Sequence, residues 1–116
     1  MVWWTEEVVA VMTIDDYMGM LRGSFQPDRA RHAHAVIQYE FSGRQAGVCH
    51  AVVDAGALQV ACGPHPQPTA TVRTDFDLWL RIVSYEEDAL LLYQDGAYNI
   101  DGDVEALMVA DSWFKR

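Results

Sequence analysis

The stretch from Thr69 to Gly102 changes its hydrophobic period more than once, and it restricts the fold more than any other part of the chain. Thr69-Ala-Thr-Val-Arg-Thr74 is β-branched and alternating, so it reads as a strand. Thr74 then opens a helix as Thr-x-x-Asp, with a hydroxyl placed to cap free amides and Asp77 near the positive end of the helix dipole. Phe76, Trp79, Leu80 and Val83 recur at helical spacing, while Asp77 and Arg81 stand four apart on the polar side, where opposite charges meet. Ser84-Tyr-Glu-Glu87 repeats the capping signal and predicts a second helix through Tyr93, ended by Gly96. Ala97-Tyr-Asn-Ile100 alternates again, and Asp101-Gly-Asp103 caps a last apolar helix.

Upstream, Thr13-Ile-Asp-Asp16 starts a helix with Tyr17, Met20, Leu21 and Ser24 along one side, and Pro27 prevents its continuation. Arg29-Ala-Arg-His-Ala33 predicts a short helical turn. Alternation then puts Ala35, Ile37, Tyr39 and Phe41 on a buried sheet face and His34, Val36, Gln38 and Glu40 largely toward solvent. Gly47–Asp54 and Ala57–Cys62 are the next two strands, joined at Ala55-Gly56, and the proline-rich 63–68 segment is a surface crossing. The result is an α+β domain: a five-stranded, mostly antiparallel sheet with one face covered by helices. Residues 1–116 are expected to form a single domain, with 1–12 an N-terminal extension that suits either a short helix capped by Thr5 or an edge strand.

Two sets of residues carry a resemblance. Pro-Thr-Ala-Thr-Val-Arg-Thr-Asp75 followed by two helices, Gly-Ala-Tyr-Asn-Ile-Asp-Gly-Asp103 and an apolar C-terminal helix is one. The other is Phe25-Gln-Pro-Asp28 and Val36-Ile-Gln-Tyr-Glu-Phe-Ser-Gly43. Together they resemble the sterol carrier protein 2 family, the nonspecific lipid-transfer domain, from about Tyr17 to the C-terminus. The resemblance implies a tunnel between sheet and helices for fatty acyl chains, acyl-CoA or sterols. On this chain it would be lined by Met18, Leu21, Phe76, Trp79, Leu80, Val83, Tyr93, Met108 and Phe114. Without the resemblance, the same side chains are ordinary core positions.

Charge narrows the partners. A formal net charge of −9 counts against nucleic acid and against docking on anionic bilayers, although lipid carriers that collide with membranes benefit from a basic face. No apolar run is long enough for stable membrane insertion, no secretory leader is evident at Met1-Val-Trp-Trp-Thr-Glu-Glu7, and Phe-Lys-Arg116 lacks a Ser-Lys-Leu ending, so the expected location is cytoplasmic. No cofactor or metal is expected: Cys49 and His50 are successive on a strand and face opposite ways, which keeps Cys49, His50, Cys62 and His65 from one tetrahedral ion. A two-residue loop at Ala55-Gly56 puts Cys49 opposite Cys62, whereas a three-residue loop separates them, and the default in a reducing compartment is two thiols. No nucleophile elbow, zinc-protease or phosphate-loop motif is present, so an enzyme of familiar type is not expected.

The leading reading is therefore a module that holds a lipid or other hydrophobic small molecule. A second is an interaction module or homodimer using Trp3, Trp4 and Trp113. A third is an accessory enzyme in which His50, Tyr39 or Tyr98 moves a proton inside the cavity.

Overall fold

A computed structural model describes residues 6–84 and 88–115. Helices α1 (Glu6–Val11) and α2 (Ile14–Ser24) and a 3-10 turn at Pro27–Ala30 lead into strands β1 (His34–Ser42), β2 (Gly47–Asp54), β3 (Ala57–Cys62) and β4 (Ala70–Asp75). Helices α3 (Phe76–Val83) and α4 (Ala89–Gln94), strand β5 (Asn99–Gly102) and helix α5 (Val104–Asp111) complete the chain. The N-terminal segment is helical over its described part, while Trp3, Trp4 and the expected Thr5 cap lie outside the described residues.

Strand order across the sheet is β3-β2-β1-β4-β5. All pairings are antiparallel except β1 with β4, which run parallel with Tyr39 opposite Val72. The sheet is therefore mixed. The parallel pair arises because the chain leaves β3 by the proline-rich crossing and returns beside β1 in the same direction.

Ala35, Ile37, Tyr39 and Phe41 all point into the core, as alternation requires. Val36 and Gln38, expected in solvent, are buried as well. The 63–69 crossing folds back over that face: the Thr69 amide donates to the Val36 carbonyl, the Val36 amide donates to Thr69 Oγ1, and the His65 amide donates to Gln38 Oε1. A loop that satisfies strand groups in this way shields them as a helix layer would.

Helix starts follow capping chemistry, with two corrections. Thr13 and Asp16 form a reciprocal capping box on α2, and Asp103 accepts from the Ala106 amide at the head of α5. The cap of α3 is Asp75 instead of Thr74: Asp75, the last residue of β4, accepts from the Leu78 amide through its carboxylate. Ser84 closes α3 and does not open α4, which is capped by Asp88 through the Leu91 amide. Asp77 pairs with Arg44 on the β1–β2 turn, not with Arg81: Arg44 Nη2 and Nε reach Asp77 Oδ1 at 2.8 and 3.1 Å, and Nη2 also donates to the Met12 carbonyl at 2.7 Å. This fork ties α3 to the hairpin and to the end of α1.

The β2–β3 hairpin takes the two-residue loop, with Asp54 opposite Ala57. Ala55 and Gly56 have φ of 50° and 82°, the conformation of a type I′ turn that asparagine or glycine adopts more readily than alanine at the first position. Ala55→Asn is expected to stabilise the protein by about 0.5–1 kcal/mol, read as a higher urea midpoint at unchanged slope.

The same register sets Cys49 opposite Cys62, both as thiols, the first buried and the second exposed. Burial pushes the Cys49 thiol from its ordinary 9.0 up to about 12, with Cys62 and Asp15 adding to the shift. The folded chain therefore holds this proton more tightly than the unfolded one. Its contribution is whole below the ordinary thiol range and is lost as pH rises toward the folded value. Unfolding free energy should fall by about 1.4 kcal/mol per unit across that alkaline window, and Cys49→Ala should make the decline shallower. Tyr98, raised by burial with help from Tyr93 and Asp88, adds a decline of the same sign.

Candidate functional site

The helix-side sheet face meets α2 and α3 through an aromatic cluster centred on Tyr17. Its ring stands 5.7 Å from Tyr39, 5.9 Å from Phe41 and 6.3 Å from Phe76, each edge to face. Trp79 Nε1 donates to the Tyr17 hydroxyl at 2.9 Å, a buried bond that orients both side chains. From there the contacts run outward. Trp79 lies 6.1 Å from Tyr98, Tyr98 lies 5.8 Å from Tyr93, and the Tyr98 hydroxyl donates to the Ala89 carbonyl at 2.8 Å, fastening the first turn of α4.

The nine side chains expected to line a tunnel fall into three groups. Met18, Leu21, Phe76, Trp79 and Leu80 are brought together, buried in the core. Val83, Tyr93 and Phe114 pack at its margin. Met108 does not join them: 53% of its surface is exposed, on a helix whose apolar residues point in every direction. Helix α4 has no buried residue at all, and its Leu90 and Leu91 are 51% and 57% exposed. Two leucines left in water on so short a helix mark a part of the helix layer held weakly by burial.

A groove of about 690 Å³ opens elsewhere, between the 28–35 segment and α5. Its apolar side is Ala33, Ala35, Ala106, Val109 and Trp113, and its rim carries Arg29, Arg31, His32 and His34 facing Asp103 and Glu105. The C-terminal segment is sewn to the end of α2 here: the Gln26 amide donates to the Trp113 carbonyl, the Lys115 amide to the Ser24 carbonyl, and Arg29 Nη1 to the Ser112 carbonyl. Sequence reasoning missed this groove. The signal that could have found it is the Arg-x-Arg-His-x-His run in an otherwise acidic chain, followed far downstream by a tryptophan.

The residues of the other readings are dispersed. Trp113 is buried, which removes it from an exposed tryptophan surface, and Trp3 and Trp4 lie outside the described residues. Tyr39 and Tyr98 flank Trp79, while His50 stands on the opposite sheet face, its Nδ1 donating to the Gly63 carbonyl at 2.8 Å and its ring 5.3 Å from His65. Among the described residues no three His, Cys, Asp or Glu side chains gather as a metal site, and no helix is long and apolar enough to cross a membrane.

Comparison with known proteins adds the following. The model of the SCP-2 sterol transfer family matches residues 19–115. No curated protein shows significant sequence similarity to the chain. Among solved structures, sterol carrier protein 2 from Yarrowia lipolytica in its apo form superposes with a TM-score of 0.66 at 14% identity, covering 84% of this chain and 85% of that one. Sterol carrier protein 2 like 2 from Aedes aegypti gives 0.63 at 20% identity, covering 91% and 93%. The stereoselective inverting sec-alkylsulfatase Pisa1 from Pseudomonas sp. gives 0.85 at 18% identity, covering 95% of this chain and 17% of that one, so the chain spans about a sixth of that protein's length.

Proposed function

Since the chain belongs to the SCP-2 sterol transfer family, we propose that it binds a lipid or other hydrophobic small molecule, of the fatty acyl, acyl-CoA or sterol type, between its sheet and its helices. The observation that carries this reading is the continuous aromatic path from Tyr17 through Trp79 and Tyr98 to Tyr93, ending on α4, a helix with two exposed leucines. An apolar chain is admitted when α4 swings outward from Tyr98, and Leu90 and Leu91 then turn onto it. Burying roughly 300 Å² of ligand surface would supply about 7 kcal/mol gross. Ordering the ligand and the helix reduces that to affinity on the order of micromolar, with little selectivity. Residues 1–116 act as one domain in the cytoplasm.

The test is titration with a fluorescent fatty-acid analogue, alongside native mass spectrometry of protein purified without detergent. Saturable binding and co-purified lipid are expected. Replacing Leu90 and Leu91 together by glutamine should weaken binding by about thirtyfold, since two side chains each lose on the order of 1 kcal/mol of apolar contact, with the thermal midpoint nearly unchanged. Absence of saturable binding, or an affinity indifferent to both leucines, would refute the reading.

A further inference from the structure

Beyond lipid binding, we infer that Cys49 and Cys62 are a reversible disulfide site that locks the edge strand β3 onto β2. The two residues are direct partners in an antiparallel ladder, so their side chains leave the sheet on the same face. Their pairing class is also defined. The Gly63 amide donates to the Val48 carbonyl at 2.8 Å, a bond that joins the residues just outside the pair. Cys49 and Cys62 therefore occupy a non-hydrogen-bonded position, where opposed Cα atoms stand about 4.5 Å apart and side chains come closest. That lies within the range of about 4.4–6.8 Å that a disulfide spans, so closure needs side-chain rotation and no slip of register.

Burial divides the work between the two sulfurs. Cys62 is exposed on an edge strand and meets an oxidant from solvent, while Cys49 is 0% exposed, in the hydrophobic core. With glutathione disulfide as oxidant, the Cys62 thiolate attacks one glutathione sulfur, forming a mixed disulfide and releasing one glutathione thiolate. Cys49 gives up its proton to solvent, and its sulfur attacks Cys62 Sγ, forming the internal bond and expelling the second glutathione. Two protein thiols are oxidised, one glutathione disulfide is reduced, and the two protons end on the two glutathione thiols. The second step is the slow one, because the Cys49 thiol is held protonated by its surroundings.

The position explains what closure would change. Among the described residues strand β3 is an edge, paired only with β2 and additionally held by Arg22 Nη2 of α2, which donates to the Val60 carbonyl at 3.1 Å. The turn pins one end of β3 and the disulfide would pin the other, suppressing fraying of the edge.

Native protein incubated with excess glutathione disulfide should lose the mass of two hydrogens and retain no thiol titratable in denaturant. Dithiothreitol should restore both. Cys62→Ser should stay unmodified while folded. Cys49→Ala should stop at one bound glutathione, and its thermal melt shows whether it is folded when treated. Hydrogen exchange across residues 57–62 should slow by about tenfold or more in the oxidised form. Wild-type protein that remains reduced, that stops with glutathione attached, or that forms only intermolecular dimers would each overturn the assignment.

Discussion

Trp79→Ala should lower the stability of the fold by about 3–5 kcal/mol, a displacement of the urea midpoint large enough to leave the protein marginal. Trp79 is 7% exposed, touches Tyr39 and Tyr98, and holds the Tyr17 hydroxyl through its indole N–H. Truncation removes the largest side chain of α3 from the core together with the indole N–H that donates to the Tyr17 hydroxyl. Trp79→Phe separates these terms. It keeps most of the ring and loses the hydrogen bond, and should cost about 1–2 kcal/mol. The experiment also bears on ligand binding. If Trp79 fills the core in the absence of ligand, the alanine variant acquires a dry apolar void and should take up small hydrophobic probes that wild type excludes. If Trp79 instead walls a space already open, the loss of stability should shrink to about 1–2 kcal/mol, that of the hydrogen bond alone, and affinity for the fatty-acid analogue should fall.

Gly102→Ala is expected to be nearly as damaging, by about 3 kcal/mol or more, for a reason unrelated to hydrophobicity. Gly102 has φ of +89°, and a methyl group there would lie 2.5 Å from the Thr69 carbonyl oxygen and 3.2 Å from Ala70 Cα. Both neighbours are backbone and cannot swing aside. The same Thr69 carbonyl accepts the Asp103 amide, so any relief must displace the start of α5. Circular dichroism melts should show a midpoint lower by roughly 10 °C or more. A variant within about 2 °C of wild type would mean that β5 is free to slide along β4, in conflict with the Ala70–Gly102 pairing.

Local chemistry made much of this architecture readable from the chain. Period-two alternation from Ala35 to Phe41 identified the core face of β1, Ala55-Gly56 narrowed the hairpin to two registers of which the two-residue one forms, and Asp103 and Thr13 marked helix starts. What escaped depended on partners distant in the chain. Gln38 is buried because a loop 27 residues later donates an amide to it, and Asp77 belongs to an arginine 33 residues earlier. Periodicity also fails where hydrophobic residues run consecutively. Leu107, Met108 and Val109 cannot share one helix face, so nothing in their spacing tells which of them turns outward. The polar-rimmed groove beside α5 went unseen for the first of these reasons, since its two walls come from opposite ends of the sequence.

The single parallel seam between β1 and β4 divides the molecule into two pieces of unequal folding cost. Strands β1, β2 and β3 form a meander whose pairings close over short turns, whereas everything from β4 onward joins the sheet only by matching residues 33 positions apart, such as Ile37 with Ala70. Loop closure of that span must precede its reward, so the meander can nucleate first and the C-terminal piece dock afterward. Of the helices that carry the aromatic path, α3 and α4 belong to the late piece and α2 to the early one. Partial opening there can recur while the meander stays intact, and under the lipid-binding function proposed above it gives a hydrophobic ligand a way out that bypasses the unfolded state.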